Sequence, residues 1–168
     1  MKKWYKIILF CVLAFTFIGC DRITKTLAKE QLMNRGVTIS YFHDVFRLEY
    51  IENTGAALGF GENLSESASF WLLSIFPLAC LLALFVYTVR RSKEMSLPKV
   101  CCLALIFAGG MGNIIDRIFF DRHVSDFMNI GILDLRTAIF NFADVYITIG
   151  VIAFILLYRT RSSVSVPQ

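Results

Sequence analysis

Six polar side chains in the last third of the chain have the types and spacing to do chemistry. Asn113, Asp116 and Arg117 close one apolar run, Asn141 and Asp144 open the next, and Asp126 lies between them. A charged side chain near hydrocarbon costs a few kcal/mol or more, so such groups face a cavity, pair with each other or mark function. Two carboxylates held close in a poorly solvated place do not both ionise cheaply. One keeps its proton, and the pair can then act as general acid and general base on a single water. That chemistry needs neither a metal nor a nucleophilic side chain. A proton or ion pathway uses membrane carboxylates equally well, and the residue pattern alone leaves both readings open.

Those residues must be held by helices. Asn113, Asp116 and Arg117 stand at i, i+3 and i+4 and share one helix face; Asn141, Asp144 and Thr148 share one in the next helix. Gly109, Gly110 and Gly112 allow a neighbouring helix to come close. The adjacent Asp116 and Arg117 read as a salt-bridged brace. Asp144 has no adjacent basic residue and calls for a protonated partner, and Asp126 in VSDF sits on the short connection between the two helices.

Composition fixes the class. Of the 168 residues, 57% are hydrophobic and 18% charged, with a mean hydropathy of +0.63, so apolar surface must face lipid. The expected fold is an all-α four-helix transmembrane bundle forming one domain over residues 1–168. Its helices lie at about 5–20, 70–89, 100–120 and 138–158, with Pro77 as a tolerated kink in the second. A small β-structured region is expected between helices 1 and 2, at about 37–62, because Phe46, Leu48 and Tyr50 alternate with Arg47 and Glu49 between turn-forming residues. Its apolar residues, including Phe42, Phe46, Leu58 and Phe60, would rest on lipid or shield the site; a folded loop with its own small core is an equal alternative. The segments 1–6, 90–99 and 159–168 hold nine of the 17 Lys and Arg but a single acid, Glu94. The positive-inside rule therefore puts both termini in the cytoplasm and the other acids at or beyond the outer face. The basic residues flank spans and form no aromatic-interleaved stripe, so nucleic acid is not an expected partner. Cys11, Cys80, Cys101 and Cys102 fall in apolar spans and Cys20 has no evident partner, so no disulfide framework follows. His43 and His123 are not spaced as metal ligands, and neither a metal nor a cofactor is expected.

The start offers two readings. Lys2, Lys3 and Lys6 precede the uncharged run Ile7 to Cys20, which looks like a secretory signal, and Phe17-Ile18-Gly19-Cys20 resembles the cleavage box of a lipoprotein. An uncleaved first span fits a chain with three further apolar segments better.

Taken together, DRITK (Asp21 to Lys25), ENTGAALGF (Glu52 to Phe60), GGMGNIIDR (Gly109 to Arg117), VSDF (Val124 to Phe127) and FNFADVYITIG (Phe140 to Gly150) resemble the blocks of the bacterial lipoprotein signal peptidases, or signal peptidase II, in order and over nearly the full length. Leu58 departs from the aromatic common at its position in the family. The resemblance implies an aspartyl endopeptidase of the bacterial cytoplasmic (inner) membrane. It would remove signal peptides from diacylglyceryl-modified prolipoproteins, cutting before the lipidated cysteine on the extracytoplasmic face. By motif the resemblance makes Asp126 and Asp144 the catalytic dyad. It gives Asp21, Lys25, Asn53, Gly55, Asn113, Arg117 and Asn141 roles in substrate binding or site support, with no cofactor and a monomer as the expected state.

Overall fold

The computed structural model describes residues 3–55, 61 and 64–162. Helix α1 (Lys3–Ala28) runs on through a wider π turn, Lys29–Met33. Strands β1 (Ile39–Tyr41) and β2 (Phe46–Asn53) follow. Next comes a helical stretch made of α2 (Glu66–Phe70), a π turn (Trp71–Ile75) and α3 (Phe76–Arg91). Helix α4 (Leu97–Phe119), strands β3 (Val124–Ile132) and β4 (Leu135–Arg136), and helix α5 (Phe142–Ser162) complete the order.

Three stretches, Trp4–Met33, Glu66–Arg91 and Leu97–Phe119, are long and apolar enough to cross a membrane; the apolar part of α5, Phe142–Tyr158, is shorter. Pro77 stands just after the π turn of the second stretch. A proline cannot donate to the carbonyl four residues back and its ring crowds that carbonyl, so the wider turn takes up the mismatch.

Helix α4 is central and packs against α1, α3 and α5. Its small residues set the spacing. A Cβ on Gly109 would collide with the Ala143 carbonyl, one on Gly112 would lie 2.6 Å from Asp21 Oδ2, and one on Gly150 of α5 would lie 2.9 Å from the Cys102 carbonyl. Away from the sheet, Phe10, Ala14, Val100, Leu103 and Ala104 form the apolar core, while Ile8, Val12, Phe15 and Leu82 stay exposed, as lipid-facing residues do. At that end Lys6 Nζ donates to the Met95 carbonyl at 2.6 Å, and Lys99 Nζ lies over the Tyr158 ring. The start of α1, the α3–α4 turn and the end of α5 therefore gather together, and the strands lie at the opposite end.

The expected β region between helices 1 and 2 is only half of the sheet. The four strands pair antiparallel in the order β1-β2-β3-β4, and β3 and β4 come from the α4–α5 connection. The sequence reads that connection as a short link carrying Asp126; it is a nine-residue strand and a hairpin, because β2 offers VSDFMNIGI an open edge. Further differences concern helix ends. Helix α1 does not stop near Cys20 but carries Asp21 and Lys25 inside it, because their charges pair one turn apart. Helix α5 starts at Phe142 instead of 138, because Asn141 caps it. Leu58 and Phe60 lie outside the described residues.

Candidate active site

A reciprocal cap builds one half of the site. Asn141 Oδ1 accepts from the Asp144 backbone N–H at 3.1 Å, and Asp144 Oδ2 accepts from the Asn141 N–H at 3.0 Å. This is the capping-box geometry, with Asp144 three residues after the cap. Asp21 reaches across from α1 and accepts from the Ala143 N–H at 3.0 Å, satisfying a further donor of the same helix end. Asp144 Oδ1 accepts from Asn113 Nδ2 of α4 at 2.8 Å.

Strand β3 supplies the other half. Asn141 Nδ2 donates to Asp126 Oδ1 at 2.6 Å, and Asn53 Nδ2 donates to Asp126 Oδ2 at 3.0 Å. Asn53 pairs with Val124 across the ladder, so Asp126 is its diagonal neighbour on the same face; the register shift between Leu48 and Ile51 sets that alignment. Asn53 Oδ1 accepts from the Gly55 N–H at 2.9 Å, and the Gly55 carbonyl accepts from Arg117 at 2.9 Å. Asn141 therefore touches both carboxyl groups, and Asn53 and Asn113 each hold one from outside. Burial raises the Asp126 pKa from an ordinary 3.8 to about 6; the nearby charge of Asp144 adds to the rise, while the Asn53 and Asn141 hydrogen bonds and the Lys25 charge oppose it.

Behind this pair lies a buried ionic cluster. Lys25 Nζ stands 2.8 Å from Asp21 and 2.7 Å from Asp116, and donates to Asn113 Oδ1 at 3.0 Å. Arg22 also pairs with Asp116, and its guanidinium lies 4.9 Å from the centre of the Phe120 ring. The expected brace between Asp116 and Arg117 is not formed. The two residues are consecutive on α4 and point apart, so Asp116 turns to α1 while Arg117 turns to Gly55 and the Asp126–Asp144 side. Because Lys25 and Asn141 both donate to Asn113 Oδ1, the amide is oriented with its NH2 toward Asp144.

All nine expected site residues thus fall at the sheet end of α1, α4 and α5, in one connected network. Sequence reading missed Arg22, whose partner is far away along the chain and leaves no local signal. It also missed the cap, although Asn followed three residues later by Asp is a readable sign. A cavity of about 600 Å³ lies on the other face of β3, lined by residues that include Lys29, Glu52, His123 and Ser125; neither Asp126 nor Asp144 borders it. Among the described residues no group of three or more His, Cys, Asp or Glu could hold a metal ion.

Helices long and apolar enough to span a membrane, a capping sheet and a buried polar network at their junction define a membrane protein with a candidate site, and relatives identify its class. The family profile described as signal peptidase (SPase) II matches residues 13–159. The chain is 34% identical over 160 residues to the lipoprotein signal peptidase of Borreliella burgdorferi (strain ZS7), covering 92% of this chain and 90% of that one. It is 33% identical over 161 residues to the enzyme of the same name from Borreliella afzelii (strain PKo), again covering 92% and 90%. A bacterial membrane enzyme solved by the in meso method at 2.3 Å superposes with a TM-score of 0.77 at 28% identity, covering 95% of this chain and 93% of that one. A second, solved at 1.9 Å, gives 0.72 at 29%, covering 89% and 92%. The chain belongs to the signal peptidase II family and is a bacterial membrane peptidase.

Proposed function

We propose that the chain is an aspartyl endopeptidase that removes signal peptides from diacylglyceryl-modified prolipoproteins, with Asp126 and Asp144 as its dyad. The observation that carries this reading is Asn141 joining two carboxyl groups whose described hydrogen-bond donors are all neutral amides. Such a pair can share one proton, and the raised pKa of Asp126 supports it as the member that carries the proton in the mechanism. Asp144 takes a proton from water as the water's oxygen bonds to the scissile carbonyl carbon, and Asp126 gives its proton to the carbonyl oxygen. The tetrahedral diol then collapses: Asp126 recovers a proton from a hydroxyl, Asp144 returns its proton to the departing amine of the lipidated cysteine, and the C–N bond breaks. Arg117 Nε is buried with no partner among the described residues, which suits it to receive a substrate carbonyl.

In this reading α5 is the fourth span and the chain works as a monomer in the inner membrane. Both termini are cytoplasmic and the sheet end is extracytoplasmic, as the basic residues of the sequence segments 1–6, 90–99 and 159–168 favour. The substrate's signal helix enters sideways from lipid.

The test is cleavage of a purified diacylglyceryl prolipoprotein by wild type, Asp126→Asn and Asp144→Asn, each checked for folding, with a chelator added to one wild-type sample. Activity that survives chelation and is lost in both folded variants supports the dyad; near-normal activity in either variant would overturn it.

A further inference from the structure

The far end of the sheet takes no part in this site, and its surface is too apolar for an ordinary loop. Asp126 points from β3 toward the ends of α4 and α5, where Asn141, Asn113 and Asp144 lie. Side chains two apart on a strand, or in register across the ladder, share a face. The face that carries Asp126 therefore continues through Met128, Ile130 and Ile132, across to Leu48 and Phe46, and out to Leu135. That face looks toward the helix bundle. Close to the bundle it is covered, since Met128 is buried in one cluster with Ala28, Leu32 and Phe127, against which Phe46, Leu48, Phe140, Phe142 and Val145 pack. Further out, Ile132 is 69% exposed and Leu135 86%.

Two turns end the sheet and add to this surface. Phe42 (φ 53°) is 77% exposed and Leu133 (φ 52°) 84% exposed. Bulky side chains rarely adopt positive φ, at a cost of about 1–3 kcal/mol each. Packing does not account for that strain, because the strained residues point outward. The turns are locked to each other, with the Gly131 N–H on the Val45 carbonyl and Arg136 on the Asp44 carbonyl, both at 2.9 Å. Val145, which joins the covered part, shares a helix face with the exposed Ile149 and Ile152 one and two turns along α5.

We propose that this double-hairpin end of the sheet is a shallow bilayer contact, with Phe42, Ile132, Leu133 and Leu135 entering the boundary of headgroups and acyl chains beside α5. Contacts of this kind reach about 5–10 Å deep. The exposed Asp134 keeps the turn at headgroup level. Arg47 and Arg136 balance Asp44 and Asp134, so apolar burial drives the contact, not attraction to anionic lipid. Seating this end on lipid fixes the height of the strand that carries Asp126 over the helix ends. The inference rests on the membrane class of the chain and not on its dyad.

The experiment replaces the two native tryptophans (Trp4→Phe, Trp71→Phe) and places a single reporter by Leu133→Trp or Leu135→Trp, with Ile8→Trp on the lipid-facing side of α1 as the control. Each protein is reconstituted into uncharged phosphatidylcholine vesicles carrying bromine either near the headgroup or near the acyl ends. Both tip reporters should emit at short wavelength and lose more emission to the shallow bromine than to the deep one, at low and high salt alike. Tip emission that no bromine quenches while the Ile8→Trp control is quenched would overturn the proposal. It would place the tip in water if the emission is red-shifted and against protein if it is blue-shifted.

Discussion

At Asp21 and Asp116 the buried carboxylates meet cations, with Lys25 reaching both and Arg22 adding a second contact to Asp116. At Asp126 and Asp144, in the same network, the described hydrogen-bond donors are side-chain and backbone amides. A cation favours the charged form of its partner, which commits a carboxylate to structure. A neutral amide holds the position of a carboxyl group while leaving its proton free to move. In the proposed mechanism the same residue type serves as framework in one cluster and as chemistry in the next, and the difference lies in the partner.

The strongest break of this contrast is at the dyad. Asp126→Asn and Asp144→Asn should each lower kcat by about 10²–10⁴-fold or more with the fold retained, measured by cleavage rate and circular dichroism. Lys25→Met should do the reverse in kind. It leaves buried Asp21 without its cation and Asp116 with Arg22 alone, at a cost of about 3–5 kcal/mol, read as a large fall in thermal midpoint in detergent. If Lys25→Met kept its stability, the cluster would not be the framework.

The proton itself sharpens the comparison. With the Asp126 pKa at about 6, kcat/KM should fall about tenfold per pH unit above that value as the singly protonated dyad is lost. The sign for stability follows from a folded pKa above the ordinary 3.8: the contribution is whole below pH 3.8 and disappears as pH rises through about 6. Wild type should therefore lose thermal midpoint over that window and Asp126→Asn should not.

Two smaller effects bracket the rest. Gly112→Ala would press its Cβ against Asp21 Oδ2 and within 3.2 Å of Ala143 Cβ, disturbing cluster and cap together at about 1–3 kcal/mol, seen as a lower thermal midpoint. Arg91→Ala removes an exposed pair with Glu94 at the other end and should cost no more than about 1 kcal/mol, with cleavage unchanged.

Much of this molecule is readable from local pattern, because hydropathy and the 3.6-residue period act over neighbouring residues. The apolar runs, the glycines of α4 and the polar ends of two helices are of this kind. So are the ordered blocks that mark the family, which need only be read in sequence. Tertiary structure decided the partners. Lys25 meets Asp116 only because α1 crosses α4 over Gly112, and Arg117, which points away from Asp116 on α4, meets Gly55 only because the end of β2 comes to that side. Asp126 reaches Asn53 only because β3 pairs with β2 in a register that a bulge sets. Charge pairing and pKa depend on distances of a few ångströms between residues far apart in the chain, and no local period encodes those distances.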